Sequence, residues 1–192
     1  MAAWYKMNIK ETKLSGVLIL EPKVFTDGRG YFLETWNSTR YEQAGIPGSF
    51  VQDNISFSKK GILRGLHFQQ PQSQGKLIQV LSGEVVDVVV DIRVGSPTYG
   101  QWLSEVFSES NHRQMYVPPG FAHGYCATSE TALFSYKCTD FYNPATEQGI
   151  IWNDPDIGIK WPIAQPALST KDAVYPRLKD LRPENLPQFG SI

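Results

Sequence analysis

Short apolar runs, each cut off by a cluster of Gly, Pro, Asn or Asp, succeed one another along most of this chain, and that punctuation limits the folds open to it. Val17 to Leu20, Tyr31 to Trp36, Ile62 to Phe68, Leu77 to Leu81, Val85 to Ile92, Trp102 to Phe107, Gln114 to Val117 and Leu133 to Tyr142 read as strands. Asp27-Gly28-Arg29-Gly30, Ser82-Gly83, Gly95-Ser96-Pro97 and Pro118-Pro119-Gly120 lie between them. A doubly wound sheet needs long amphipathic helices between its strands, and the sequence contains none. The pattern predicts an all-β, antiparallel sandwich or jelly roll with a few short helices. Val86, Val88, Val90 and Ile92 fill one face of a strand whose other face carries Asp87, Val89 and Asp91, as expected of a central strand. One short helix is expected from Thr39 to Ala44, capped near Ser38 and stopped by Gly45, and a helical turn after Ser169. Beyond Trp161 the chain is Pro-rich and weakly periodic, and is expected to wrap the barrel.

The 192 residues suffice for one substantial core, so a single domain over 1–192 is expected, with 1–16 as an N-terminal arm and 177–192 as a C-terminal tail. A formal net charge of −1 excludes the global basic field that drives non-specific nucleic-acid binding, so any anion site has to be local. Cys126 and Cys138 fit neither a disulfide framework nor a C-x-x-C redox or zinc pattern, and read as small buried hydrophobes in a reducing compartment. No stretch reaches membrane-spanning length, and Met1 to Lys13 lacks the pattern of an export signal. A cytoplasmic location with no membrane partner is expected, and the glycosylation sequons at Asn37 and Asn54 are discounted.

Polar residues with chemical potential concentrate in Leu63-Arg64-Gly65-Leu66-His67-Phe68-Gln69. Alternation puts Gly65, His67 and Gln69 on one face and Leu66 and Phe68 on the other. The polar face either lines a cavity or holds a hydrogen-bonded structural histidine; alternation fits both. Arg64 has the opposite parity, so it reaches the same cavity as His67 only if Gly65 supplies a bulge. Lys76 opens a strand after the flexible Gln70 to Gly75 loop, a place where lysines are ordinarily exposed; turned inward, its ammonium would stabilise an enolate or bind a phosphate. His123 sits in a turn after Pro118-Pro119-Gly120, suited to aiming a side chain, and His112 reads as a solvated turn residue. Tyr136 shares parity with Phe134, Cys138 and Tyr142, and fits a core tyrosine with a satisfied hydroxyl better than a proton donor. Asp172, in Ser169-Thr170-Lys171-Asp172, reads as part of a helix cap.

Gly61, His67, Gln69, Lys76 and Gly83 follow the spacing G-x5-H-x-H-x(n)-E-x6-G, and Pro118 to His123 keeps P-x-G-x-x-H. The pair resembles the metal motif of cupin barrels, with Gln69 in place of the second His and Lys76 in place of the Glu. A cation at a ligand position repels a metal ion, so no bound metal is expected.

A longer set of runs is more specific: Phe25-Thr26-Asp27-Gly28-Arg29-Gly30, Val51-Gln52-Asp53-Asn54, Leu63 to Gln69, Gln74-Gly75-Lys76-Leu77, Val90-Asp91-Ile92-Arg93, Pro119 to Gly124, Tyr136-Lys137, Trp152-Asn153-Asp154-Pro155 and Leu168 to Asp172. In this order they resemble the dTDP-4-dehydrorhamnose 3,5-epimerase family. The resemblance implies a homodimeric, cupin-like double-stranded β-helix acting on dTDP-4-keto-6-deoxyglucose without metal or nicotinamide cofactor. It implies His67 as base, Asp172 as its orienting carboxylate, Tyr136 as acid on the other face of the sugar and Lys76 as enolate stabiliser. Substrate binding falls to Arg29, Glu34, Gln52, Asn54, Arg64, His123, Glu147 and Lys171, with Tyr142 stacking on thymine. In the dimer, the segment carrying Trp4 and Tyr5 would add a strand to a neighbour's sheet. Two alternatives stay open at this level: an epimerase inverting only carbon 3 or carbon 5, and a sugar-binding cupin without catalysis.

Overall fold

A computed structural model describes residues 7–191, so Trp4 and Tyr5 lie outside the described residues. The elements run β1 (Asn8–Glu11), β2 (Leu18–Glu21), β3 (Val24–Asp27), β4 (Gly30–Leu33), α1 (Ser38–Glu42), β5 (Gln52–Lys59), β6 (Leu63–Gln69), β7 (Lys76–Ser82), β8 (Glu84–Asp91), β9 (Trp102–Ser108), β10 (Gln114–Val117), β11 (Phe121–Ala127), β12 (Thr131–Cys138) and β13 (Glu147–Gly149). Two 3-10 turns, Leu178–Asp180 and Pro183–Asn185, follow. The strands form a six-stranded sheet in the order β1-β2-β10-β7-β12-β5 and a five-stranded sheet in the order β13-β6-β11-β8-β9; β3 and β4 pair as a separate hairpin. Each of these ladders is antiparallel, as the punctuation of the sequence predicts.

Strand parity distributes the apolar residues over three layers. Between the sheets lie Ile19, Ile78, Val80, Met115 and Phe134 from one side and Val85, Val89, Phe121 and Tyr125 from the other. Leu66, Phe68, Val88, Val90 and Ile92 face outward from the five-stranded sheet and are covered by Ile150, Trp161, Leu178 and Leu186, so the Pro-rich C-terminal part does wrap the body. Leu20, Leu77 and Tyr116 face outward from the six-stranded sheet and are covered by Trp36, Tyr41 and Ile46 of the segment around α1. Each large apolar side chain buried in this way contributes about 1.5–3 kcal/mol relative to exposure. β8 lies between β11 and β9, inside its sheet, as its two-faced Val pattern requires.

Several local readings are corrected. The cap expected near Ser38 falls on its neighbour Asn37, whose side chain accepts from the Arg40 N–H at 3.2 Å. His123 lies on β11 instead of in a turn. His112 is only partly exposed, because the Tyr31 ring of the hairpin rests 4.6 Å from it.

Candidate functional site

The inward-facing row of each sheet changes from apolar to polar at one end of the barrel. Ile78 and Val80 face the inner core, so Lys76, two residues earlier on β7, points the same way; Phe134 does the same for Tyr136 and Cys138 on β12. In the facing sheet Phe121 and Tyr125 carry His123 inward, Val85 and Val89 carry Asp87, and the outward Leu66 and Phe68 leave His67 and Gln69 inward. Between these walls lies a cleft of about 610 Å³, lined among others by Arg64, His67, Lys76, His123, Tyr136, Tyr142, Glu147, Lys171 and Asp172. It shares His67, Lys76, Tyr136, Tyr142 and Glu147 with an adjoining lobe of about 240 Å³ that adds Gln52, Asn54, Gln69 and Cys138.

His67 Nε2 lies 2.6 Å from Asp172 Oδ1, and Asp172 is only 3% exposed. An ionised carboxylate only accepts, so Nε2 carries the hydrogen and the free lone pair falls on Nδ1. Burial alone would raise the Asp172 carboxyl; the hydrogen bond and charge of His67, with help from Ser169 and the Gly65 N–H, outweigh it and hold the carboxyl below its ordinary value. The cap reading of Asp172 is therefore half right. Its N–H does donate to Ser169 Oγ at 3.1 Å, but the segment is a turn and not a helix, and the carboxylate serves His67.

A second pair stands beside the first, since His123 and His67 are register partners on β11 and β6. His123 Nε2 lies 2.8 and 3.0 Å from the two oxygens of Asp87, which is fully buried. Burial pushes the Asp87 carboxyl up, and the nearby His123 and Lys76 offset this only in part. Sequence reasoning missed Asp87 as a site residue. The available signal was a carboxylate on the inward face of an otherwise valine-rich strand.

Arg64 joins His67 in the cleft because the expected irregularity exists. Pairing of β6 with β11 shifts register between His123 and Tyr125, one extra β6 residue being accommodated around Gly65. Gly65 has φ +128°, and a Cβ there would lie 2.6 Å from Gly124 Cα, so only glycine fits. Arg64 then donates to Ser58 Oγ and the Phe57 carbonyl, both at 3.1 Å.

Lys76 is inside the cleft, where no hydrogen bond or ion pair engages its ammonium among the described residues. Burial pushes its pKa below the ordinary lysine value, with Cys138, Asp87 and Glu147 acting the other way. Burial pushes the Tyr136 phenol up to about 12, so it stays protonated at neutral pH. At the mouth, Tyr142 Oη donates to Glu147 Oε2 at 3.0 Å and Lys171 Nζ donates to the same oxygen at 2.6 Å. Gln52 accepts from the Tyr142 N–H at 2.8 Å and donates to Asn54 Oδ1 at 3.0 Å. Gln69 spends its amide on the Gln72 and Phe141 carbonyls, at 2.7 and 3.0 Å. Among the described residues no group of three or more His, Cys, Asp or Glu is arranged to hold a metal ion.

Two expected binding residues are not in this cleft. Arg29 sits at the exposed end of the β3–β4 hairpin, where its Nε pairs with Asp27 at 3.1 Å, and Glu34 accepts from Arg40 Nε at 2.8 Å. Neither lines the cleft of its own chain.

Residues 11–180 match the sequence model of the family described as dTDP-4-dehydrorhamnose 3,5-epimerase. A relative of that name from Salmonella typhimurium is 53% identical over 175 residues, covering 90% of this chain and 96% of the relative. Another, from Neisseria gonorrhoeae, is 52% identical over 86% of this chain but is longer, and the chain spans about half of it, 51%. A dTDP-6-deoxy-D-glucose-3,5-epimerase of Legionella pneumophila, crystallised in complex with dTDP-4-keto-L-rhamnose, superposes with a TM-score of 0.94 at 49% identity over 97% of this chain and all of that one. A polar cleft between two antiparallel sheets, a carboxylate-bound histidine in its wall and agreement of this extent along the sequence lead to one assignment: the chain belongs to the dTDP-4-dehydrorhamnose 3,5-epimerase family.

Proposed function

We propose that this chain epimerises dTDP-4-keto-6-deoxyglucose at carbons 3 and 5, giving dTDP-4-keto-L-rhamnose for dTDP-L-rhamnose biosynthesis. The observation that carries the reading is the placing of His67 on one sheet and Tyr136 on the facing sheet, with Lys76 on the same lining. Inversion beside a ketone needs a base on one face of the sugar, an acid on the other, and a positive charge where the carbonyl oxygen becomes an enolate. His67 Nδ1 removes the proton while Nε2–H remains on Asp172, and the imidazolium so formed is stabilised by that carboxylate. Charge moves onto the C4 oxygen and is met by the unpaired Lys76 ammonium. Tyr136, kept protonated by burial, returns a proton to the opposite face. The sequence is redox-neutral and moves only protons, so as proposed it needs neither nicotinamide nor metal.

Arg64, His123 and Lys171 supply local positive or hydrogen-bonding groups for a nucleotide sugar, and Gln52, Asn54, Glu147 and Tyr142 line the side of the cleft where its nucleotide would lie. Arg29 and Glu34 reach substrate only if a second copy brings its hairpin to this cleft, which accords with a homodimer. Ile55 and Phe57, 64% and 56% exposed on the edge strand β5, and Tyr31 and Phe32 on the hairpin give such a dimer apolar surface to cover. Among the described residues no helix is long and apolar enough to cross a membrane. Two free buried cysteines accord with a reducing compartment, and we place the reaction in the cytoplasm with the whole chain acting as one domain.

The test is product identity. Purified protein, dTDP-4-keto-6-deoxyglucose, a 4-ketoreductase and NADPH should yield dTDP-L-rhamnose. A 6-deoxy sugar inverted at only one carbon would assign a single-centre epimerase to the same machinery, and recovery of unchanged substrate would overturn the proposal.

A further inference from the structure

Tyr175 has no part in the chemistry above, yet it touches the proposed base. Its ring meets the His67 imidazole nearly edge-on, with centroids 5.8 Å apart and planes at 71°. It follows Asp172 by three residues in the same loop, so the carboxylate on His67 Nε2 and the ring beside the imidazole arrive together. Room for that ring comes from Gly149, the residue of β13 that pairs with His67: a Cβ on Gly149 would lie 2.4 Å from Tyr175 Cε2. Gly149 does not occupy the left-handed region, so its lack of a side chain is needed for space and not for backbone freedom.

The Tyr175 hydroxyl is buried with no partner at hydrogen-bond geometry; the polar group beside it is the Lys171 ammonium, which is committed to Glu147 Oε2 at 2.6 Å, and not His67. Burial also pushes it up to about 12, so it brings no charge to His67 at neutral pH. A buried, unpaired hydroxyl is less favourable than the hydrogen of phenylalanine at the same place. What the residue offers His67 is therefore the ring.

We infer that Tyr175 is a positioning residue for this epimerase: its ring, seated in the gap left by Gly149, braces the His67 imidazole against Asp172 in the orientation that leaves Nδ1 free toward the cleft. The inference rests on His67 being the base. Tyr175 touches no substrate in this account, and its effect runs through the angle of the imidazole, where a displacement near 1 Å costs about 10²-fold in rate.

The experiment measures kcat and KM for wild type, His67→Ala, Tyr175→Phe, Tyr175→Ala, Gly149→Ala and the double variant Gly149→Ala/Tyr175→Ala, with melting temperature as a check on folding. Tyr175→Phe should keep kcat near wild type and melt no lower. Tyr175→Ala should lose kcat by about 10²-fold and keep KM nearly unchanged. Gly149→Ala should show the same kcat defect in the wild-type background and little further loss in the Tyr175→Ala background, where the clash has gone. Folded Tyr175→Ala with wild-type kcat overturns the inference, and so does Tyr175→Phe losing as much as Tyr175→Ala. Activity surviving in His67→Ala instead removes the base assignment on which the inference stands, a separate failure read from a separate variant.

Discussion

At the scale of single residues, one carboxylate decides which nitrogen of His67 can act. With Nε2–H committed to Asp172, only Nδ1 has a lone pair to offer. Asp172→Asn removes the charge that stabilises the imidazolium and should lower kcat by about 10²-fold or more, with dTDP affinity nearly unchanged. Equal kcat in the two proteins would show that His67 needs no such partner. Tyr136→Phe should separate proton loss from proton return. Solvent deuterium would still enter the substrate, while formation of inverted product falls by about 10²-fold; parallel loss of exchange and product, followed by NMR, would contradict the donor role. The polar face of β6 that carries His67 was legible in the sequence because parity is a local property, whereas Lys76 stands where a lysine is ordinarily exposed and only the motif spacing pointed it inward. The role of Asp172 could be read only from family resemblance, because Ser-x-x-Asp spells a cap whether or not a histidine 105 positions earlier arrives to take the carboxylate. Asp87 was hidden for a related reason: its partner His123 becomes adjacent only when β8 and β11 pair.

Among the elements, strands rich in Val, Ile and Leu were legible, β6, β7 and β12 of the site included, whereas β5 and β11, which also line it, were not. β5 carries Gln52, Asn54, Ser56 and Ser58 inward and Asp53, Ile55 and Phe57 outward, the inverse of a half-buried strand, so its pattern gave no signal. β11 is rich in Gly and Ala and follows Pro-Pro-Gly, which reads as a turn. Past the end of β8 a network of side chains ties the next loop and the C-terminal segment to the barrel. Asp91, fully buried, accepts from Arg93 Nε and Nη2 at 2.9 and 2.7 Å and from Ser96 and Thr98 hydroxyls at 2.6 Å. The Arg93 guanidinium in turn lies 4.2 Å from the Phe121 ring centroid and 5.1 Å from that of Phe189. Asp91→Asn should cost about 3 kcal/mol, because it leaves a largely buried guanidinium without its counter-charge. Burial alone would raise the Asp91 carboxyl, but the donated hydrogen bonds outweigh it and hold it low. A depressed carboxyl stabilises the fold above its unfolded value, near pH 4, and that contribution fades as pH falls through the lower folded value. Urea denaturation should therefore find the gap between wild type and Asp91→Asn wide at pH 7 and narrowing below about pH 4. A gap that stays constant into acid would contradict this assignment of the charge.

For the whole molecule, two sheets, their outer coverings and a polar end to the inner core are enough to form the cleft, and all three followed from strand parity once the pairing was known. Parity could not say which residues work within one chain. Arg29 and Glu34 were grouped with the binding residues by family resemblance, but neither lines the cleft of its own chain. The proposed homodimer would resolve this, and light scattering should then return twice the chain mass for wild type. Ile55→Glu, at an exposed position where folding is nearly indifferent to the change, should return the monomer mass with lowered activity. A wild-type monomer with full activity would remove the dimer from the account. The central claim, that His67 abstracts protons beside the C4 ketone, is tested most directly by proton NMR of dTDP-4-keto-6-deoxyglucose in deuterated water with wild type and His67→Ala. Deuterium is expected at both carbon 3 and carbon 5 with wild type and at neither with the variant. Exchange at both positions in folded His67→Ala would contradict it.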